Sequence, residues 1–280
     1  MFVCPKCKTP LEEYRCRVCL EEYTTYSGIP DFLSADGGAD RRKLASIYDG
    51  IYSAHSDVFE DQGRRSDFRA YFADLLAEIA PGSLLEVGCG EGALLADMRH
   101  APKCGIDPSI QALLRAQRRT DCALAVATAE QLPFSDRSFN AVTAVGVMEF
   151  FGDTDSALTE IFRVLVEGGA YVALVQLDMS FGERVRQKIR EYLIPRPRPI
   201  RFGRWLVKTF YKFHKPIRQP QRRISTLDAA NDCFRRSGFS VERVITRRNT
   251  PEAHLAGEHV VIFVARRPLA WQDRKSEGGV

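Results

Sequence analysis

Leu84-Leu85-Glu86-Val87-Gly88-Cys89-Gly90-Glu91-Gly92 is an apolar run that ends in three glycines spaced two apart. A buried parallel strand reads as a short apolar run closed by turn residues. The pattern therefore predicts a strand over 83–87, a tight turn, and a helix over 91–99. Glycine is what a chain needs where its backbone must turn sharply and approach a ligand closely. Strand, turn and helix would then form the floor of a cofactor pocket; the plainer reading is an ordinary strand-helix turn.

The spacing narrows the ligand. A dinucleotide fingerprint reads G-x-G-x-x-G, whereas this turn reads G-x-G-x-G with Glu86 two places before the first glycine, and the Gly-Lys-Ser/Thr ending of a nucleotide-phosphate loop is absent. Downstream, Lys103-Cys104-Gly105-Ile106-Asp107-Pro108-Ser109 reads as a second strand with an acidic end, and Ser109 as the N-cap of a helix through Ala112, Leu113 and Ala116. An acid about 20 residues beyond a glycine turn is placed to grip ribose hydroxyls, since a carboxylate accepts both hydrogen bonds. Asp107 is thus the candidate ribose ligand, or else a surface turn aspartate. A third strand, 123–127, leads into Thr128-Ala129-Glu130-Gln131-Leu132-Pro133-Phe134, with Phe139-Asn140 following. A fourth strand spans 141–146, a helix 155–166, and Leu165-Val166-Glu167-Gly168-Gly169 reads as the turn into a fifth strand, 170–176.

These motifs, in this order, resemble the class I S-adenosylmethionine-dependent methyltransferases, and among them the ubiquinone/menaquinone-biosynthesis-like branch. The resemblance covers residues 65 to 266. It implies an α/β fold with a doubly wound, mostly parallel, seven-stranded Rossmann-like sheet. It further implies that Gly88, Cys89, Gly90 and Gly92 form the turn at the methionine end of the cofactor and that Glu86 orients its amino group. Asp107 and Pro108 would sit at the ribose, Ala129 and Glu130 at the adenine mainly through their backbone, and Val145 at the strand tip facing the methyl. Two departures bear on affinity: Thr128 stands where the family commonly has an adenine-binding aspartate, and Asn140 replaces a second one.

A second signal stands apart. Cys4-Pro5-Lys6-Cys7 and Cys16-Arg17-Val18-Cys19 are two C-x-x-C knuckles separated by eight residues. Four thiolates from two tight turns can surround a tetrahedral ion, which compensates for a segment too small to own a core. Cys4, Cys7, Cys16 and Cys19 are therefore the candidate ligands of a structural zinc, with iron, an iron-sulfur cluster or a redox pair as alternatives. Four cysteines leave no open coordination position for catalysis. Residues 1–33 as a whole resemble the zinc-ribbon modules found alone as methyltransferase activators or fused to methyltransferases, ribosomal-RNA enzymes included.

The remaining chain is read as a linker and lid segment (34–63) carrying Tyr48, Tyr52, His55 and Phe59, a core (64–266), and a flexible tail (267–280). Phe68, Tyr71, Phe72, Leu75, Leu76 and Ile79 recur at helical spacing and predict one apolar face against the sheet. Ligands in doubly wound sheets sit beyond the carboxyl ends of the strands. Glu149, just past the fourth strand, is accordingly the candidate catalytic base or substrate anchor. Residues 183–223 hold fourteen Lys or Arg against two Glu, within a basic amphipathic insertion at 180–223. Such a segment suits a membrane interface, a lipid-like or acidic acceptor, RNA phosphates, or a cap over the active site. A helix over 225–236 and strands over 241–246 and 259–265, pairing antiparallel at the sheet edge, close the core.

At 280 residues, 45% hydrophobic and 27% charged, the composition is that of a soluble protein with one full domain and a small extra one. The N-terminus has no uninterrupted apolar stretch and no segment is long enough to span a bilayer, so a cytoplasmic location is expected. The expected function is methyl transfer from S-adenosylmethionine to a small-molecule acceptor, lipid-like, aromatic or anionic. Methylation of ribosomal or transfer RNA is the alternative, and a non-catalytic cofactor-binding partner a second one.

Overall fold

The computed structural model describes residues 2–33, 39–54, 64–178, 224, 226–250, 255 and 259–269. The basic 183–223 segment, His55, Phe59 and the tail beyond 269 lie outside the described residues, as does most of the expected linker.

Seven strands form one sheet: β3 (Leu84–Val87), β4 (Lys103–Asp107), β5 (Ala123–Val126), β6 (Phe139–Val145), β7 (Leu165–Gln176), β8 (Ser240–Ile245) and β9 (Val260–Arg266). Their spatial order is β5-β4-β3-β6-β7-β9-β8. Pairing is parallel from β5 to β7 and antiparallel at β7–β9 and β9–β8. The chain moves outward from β3 through β4 to β5, then returns to β6 on the other side. That reversal opens a crevice beyond the carboxyl ends of β3 and β6, where a ligand can enter without competing with ladder hydrogen bonds.

Both faces are covered, as parallel sheets require. Helices α2 (Arg64–Ile79), α3 (Ala93–Asp97) and α4 (Ile110–Ala116) pack on one face through Phe72, Leu76, Leu95 and Leu113, against Leu84, Leu124 and Val172. On the other, α5 (Thr154–Val164) and α6 (Leu227–Arg236) set Leu158, Ile161 and Phe234 against Leu85, Ile106 and Tyr171. Alternate strand residues supply the two cores, the period-2 consequence of the pleat. Helix starts follow side-chain caps: the Ser109 hydroxyl accepts from Ala112 N at 3.2 Å, Asp153 from Asp155 N at 3.1 Å, and Thr226 from Ala229 N at 3.1 Å.

Two boundaries differ from the sequence reading. The helix expected over 91–99 is only Ala93–Asp97, because the three-glycine turn consumes its first residues and Met98 is already extended. The turn expected at Leu165–Gly169 is instead the first part of β7. Opposite Phe139 stands Leu165 and opposite Ala141 stands Ala170, so the extra residues bulge, with Gly168 at φ +73°.

The cysteine-bearing residues 2–33 are fused to the sheet rather than set apart from it. Their hairpin, β1 (Thr25–Tyr26) with β2 (Ile29–Pro30), runs into a parallel bridge between Asp31 and Val126 on edge strand β5. Phe32 N donates to Val126 O at 2.8 Å and Val3 N to Pro133 O at 3.0 Å. Phe2 lies between Phe32 and Phe134, and Phe32 joins one core while Ile29 joins the other. Helix α1 (Ala39–Ala54) packs on α4, so residues 2–33 and α1 both lie on the side of the sheet that carries β5 and β4.

Candidate active site

The glycine turn is shaped by two tight approaches. A Cβ on Gly88 (φ +71°) would stand 2.6 Å from Val147 Cγ1, and one on Gly92 (φ +73°) 2.9 Å from Ala116 Cβ. Neither position tolerates a side chain, by conformation or by space. The turn is stitched to β4 as well: Gly88 N and Cys89 N both donate to Ile106 O, and Gly90 N donates to Asp107 Oδ2 at 2.9 Å.

Beyond the strand ends lies a cavity of about 540 Å³. Of the residues singled out from the sequence, Glu86, Gly88, Cys89, Gly90, Asp107, Pro108, Ala129, Glu130 and Val145 line it. Gly92 does not; it serves the contact between the turn and α4. Glu149 does not either. It occupies the single 3-10 turn Met148–Phe150, and at this tip Phe150 and Phe151 supply the wall.

Two carboxylates dominate the floor. Asp107 accepts from Gly90 N with one oxygen and from Ser109 N with the other, both at 2.9 Å, which fixes the group and leaves a lone pair on each oxygen for a diol. Burial pushes its pKa up to about 6, and the Asp49 charge adds to the shift, while the Ser109 and Gly90 N–H groups oppose it. Glu86 is 4% exposed, and its Oε2 has no hydrogen-bond partner among the described residues. Burial, reinforced by the Asp107 charge, raises its carboxyl well above the usual carboxylate range, against one backbone bond from Leu95. An orphaned, buried carboxylate oxygen in a cavity wall is what a ligand ammonium would complete. The residues present therefore fit a sulfonium nucleoside with an amino-acid end: Glu86 at the amino group, Asp107 at the ribose.

The other acids of the cavity are committed elsewhere. Glu91 pairs with Arg115, and with Arg119 at 3.3 Å. Glu130 Oε1 accepts from Gly152 N at 2.7 Å, so its side chain braces the loop before α5. Cys89 turns its thiol toward Gly105, where burial and the Asp107 and Glu86 charges keep it neutral and inert. Asn140 sits at the start of β6, about 16 Å along the strand from the cavity-lining Val145. There its Oδ1 accepts from Ser83 N and Oγ at 3.1 and 2.9 Å, so this departure from the family pattern lies away from the cavity lining.

Several lining residues carried no functional signal in the sequence. Phe68 and Arg69 come from α2, whose apolar periodicity reads as sheet packing alone; Arg69 donates to Asp97 at 2.7 Å. Tyr48 and Tyr52, by contrast, lie in the segment read from the sequence as a lid, and from α1 they line the cavity. Tyr48 stacks edge-on against Phe150, and the Tyr52 hydroxyl lies 3.0 Å from where a Gly90 Cβ would be. Asp49 between them accepts from the Ser109 hydroxyl at 2.5 Å and from Gln111 N at 3.1 Å. Only a three-dimensional neighbour reveals that role, since Asp49 is 60 residues from its partner.

At the far edge, the sulfurs of Cys4, Cys7, Cys16 and Cys19 all lie within 4.8 Å of one another, with Cys7 and Cys16 at 3.5 Å. Tetrahedral coordination with bonds of about 2.3 Å needs sulfurs about 3.8 Å apart, so the set fits one metal ion. The Cys19 N–H and the Thr9 hydroxyl draw the Cys16 thiol down to about 6, toward the thiolate that a metal requires.

Replacing Glu86 by Gln separates site from scaffold. One charge-assisted hydrogen bond is worth roughly 1.5–3 kcal/mol, so calorimetry with S-adenosylhomocysteine should show affinity lowered about 10- to 150-fold. The melting temperature of the free protein at pH 8 should rise, because the variant no longer buries a carboxylate. For Asp107 the sign follows from a folded pKa above the unfolded value. Its ionisation lowers the stability of the free protein as pH rises from about 4 to about 6. A ligand donating hydroxyls prefers the ionised form, so its affinity should climb with pH to about 6 and then level, which titrations from pH 5 to 8 would record.

Residues 85–173 match a family model described as a methyltransferase domain. Similar curated proteins include the probable tRNA methyltransferase 9B of Bos taurus, 32% identical over 144 residues, half of this chain and 31% of that protein. The demethylmenaquinone methyltransferase of Thermotoga maritima is 28% identical over 145 residues, 49% of this chain and 63% of that one. The fatty-acid O-methyltransferase of Mycolicibacterium smegmatis is 33% identical over 103 residues, 34% of this chain and 38% of that one. The chain thus spans from under a third to under two thirds of these relatives. Among solved structures, a chain from the complex of the Haloferax volcanii Trm112 methyltransferase activator with a methyltransferase superposes with a TM-score of 0.54 at 19% identity, covering 82% of this chain and 98% of that one. The cyclase SpnF superposes with 0.52 at 18%, covering 82% and 97%. These two likenesses establish the fold. No helix among the described residues is long and apolar enough to cross a membrane. Residues 85–173 are thus similar to a methyltransferase domain, and the seven-stranded sheet built around them has the Rossmann-like fold that such domains share.

Proposed function

We propose that this protein is an enzyme that transfers the methyl group of S-adenosylmethionine to a small, largely apolar or aromatic acceptor. The cofactor supplies an electrophilic methyl on a sulfonium. Glu86 and Asp107 would fix its two polar ends, and the Val145–Val147 strand tip would border the transferable group. The observation that carries the reading is the polarity of the remaining wall: Tyr48, Phe68, Val147, Phe150, Phe151 and Leu174, with Arg69 its single basic side chain among the described residues and already bonded to Asp97. Such a wall desolvates a greasy or flat molecule and offers little to a phosphate. The catalytic contribution would be alignment of nucleophile and methyl, which alone can be worth several orders of magnitude in rate.

RNA methylation is the second reading, supported by the net charge of +12 over 183–223 and by the relative named as a tRNA methyltransferase. A non-catalytic role would leave the cavity able to bind cofactor and unable to turn it over. Methyl-labelled cofactor incubated with organic-extractable metabolites and, separately, with total RNA discriminates the three. Label in the organic fraction is expected; label in RNA alone would replace the first reading by the second. Binding of S-adenosylhomocysteine without transfer to either would leave a cofactor-binding partner, and no binding heat would remove all three.

We further infer that the four cysteines hold one structural zinc and that the thiols are kept reduced in a cytoplasmic setting. Support comes from the sulfur geometry and from an all-cysteine donor set, which suits zinc. Elemental analysis should give one zinc per chain. Cys16→Ser or chelation should release it and lower the melting temperature, because Cys4, Cys16, Tyr23 and Phe32 share the sheet's own core. Iron in place of zinc, or metal loss without a change in melting temperature, would overturn the assignment.

A further inference from the structure

Helix α1 covers the cavity without belonging to the sheet, so something must hold it there. Its inner face contributes Tyr48 and Tyr52 to the cavity wall. Between them, Asp49 Oδ1 receives the Ser109 hydroxyl at 2.5 Å and Gln111 N at 3.1 Å. Ser109 is fully buried and does two further things: its hydroxyl caps α4 by accepting from Ala112 N, and its own N–H donates to Asp107 Oδ1 at 2.9 Å. The other Asp107 oxygen accepts from Gly90 N. One unbroken run of hydrogen bonds thus links α1, through Ser109, to the ribose acid and to the glycine turn. One turn further along α4, Arg115 donates to Tyr52 O and stands over the Tyr52 ring at 5.8 Å, so the helix is held at two points.

We propose that Asp49 is a positioning residue: it latches α1 over the bound cofactor through Ser109, which simultaneously orients the ribose acid Asp107, so that release of the nucleoside requires this latch to open. The proposal rests on the cofactor reading given above. It assigns a task to a residue that touches neither cofactor nor acceptor. The cofactor gains from closure because Tyr52 reaches over the Gly90 turn and Tyr48 closes on Phe150. A helix held only by apolar packing could slide; a charge-assisted hydrogen bond to a buried hydroxyl sets its register.

The test uses the full-length protein and S-adenosylhomocysteine as probe, with dissociation followed by rapid mixing and chase. Asp49→Ala is expected to speed dissociation at least about tenfold, from the loss of its charge-assisted hydrogen bonds, and to lower the melting temperature of the free protein by only a few degrees, since both cores are untouched. Asp49→Asn, which keeps an acceptor oxygen, should recover part of the slow rate. Ser109→Ala also speeds release, but it removes a helix cap too, so the double variant is the decisive one: its effect should be clearly smaller than the product of the two singles. Hydrogen exchange over residues 45–54 should slow on ligand binding in the wild type and not in Asp49→Ala. A dissociation rate within twofold of wild type for Asp49→Ala, or effects of the two substitutions that multiply, would overturn the latch while leaving the cofactor reading intact. Failure of the wild type to bind S-adenosylhomocysteine would sink both.

Discussion

Two carboxylates buried a strand apart, with no cation of the described chain beside either, are the constraint around which this molecule is built. Glu86 on β3 and Asp107 on β4 belong to adjacent parallel strands paired Val87 to Ile106, so both lie near the carboxyl ends that open into the crevice. Burying charge in this way opposes folding. It persists because each group is locked by what surrounds it. Two backbone N–H groups hold Asp107, and Glu86 stands opposite Gly105, a position whose missing side chain leaves room for Leu95, Cys89 and Leu124. The site is therefore electrostatically unfinished, and a ligand with one ammonium and a diol would complete it.

The cysteine module answers a different demand. A sheet that ends on β5 would present an unpaired edge to solvent, a template for unwanted pairing. The Asp31–Val126 bridge and the Phe32 N bond occupy part of that edge. Lys8 then reaches Glu160 at 2.7 Å, and Glu160 also accepts from Leu132 N at 2.8 Å. The segment from Ala127 to Glu130 lines the cavity, and the residues just after it are held by this ion pair and by Arg163, which donates to Phe134 O at 2.8 Å. A metal bound at the knuckles would consequently order an edge strand and the support of one cavity wall from outside the cavity.

How much of this was legible follows from the range of each interaction. The glycine turn, the acid ending β4 and the seven-stranded order were readable because each is encoded within a few residues or by the alternation of strand and helix. The bulged start of β7 was not, since Gly168-Gly169 signals a turn equally well whether or not the flanking residues stay in the ladder. Asp49 was invisible for a stronger reason: a lone aspartate on a polar helix looks like any solvated carboxylate, and its partner lies 60 residues away. Glu149 misled in the opposite sense. Position beyond a strand tip is a good guide to the neighbourhood, but in a 3-10 turn adjacent side chains diverge, and here the wall is made by Phe150 and Phe151. The cysteine spacing pointed to a cluster that could hold a metal while concealing that the module shares its core with the sheet.

Fold alone does not fix the chemistry, as the likeness to a cyclase makes plain. What separates the reactions that such a scaffold can host is the asymmetry of its cavity. One side here is acidic and fixed by backbone hydrogen bonds, which suits the cationic nucleoside proposed above. The other side is aromatic and aliphatic, built from α1, α2 and the β6 tip, three elements whose packing can vary without disturbing the carboxylates. Because the glycine turn anchors the first side and only side-chain contacts define the second, acceptor preference under the proposed function would change by substitution at Tyr48, Phe68, Phe150 or Phe151 while Glu86 and Asp107 kept the cofactor in place. Specificity in this protein is accordingly a property of its covering elements, and the sheet supplies the constant part.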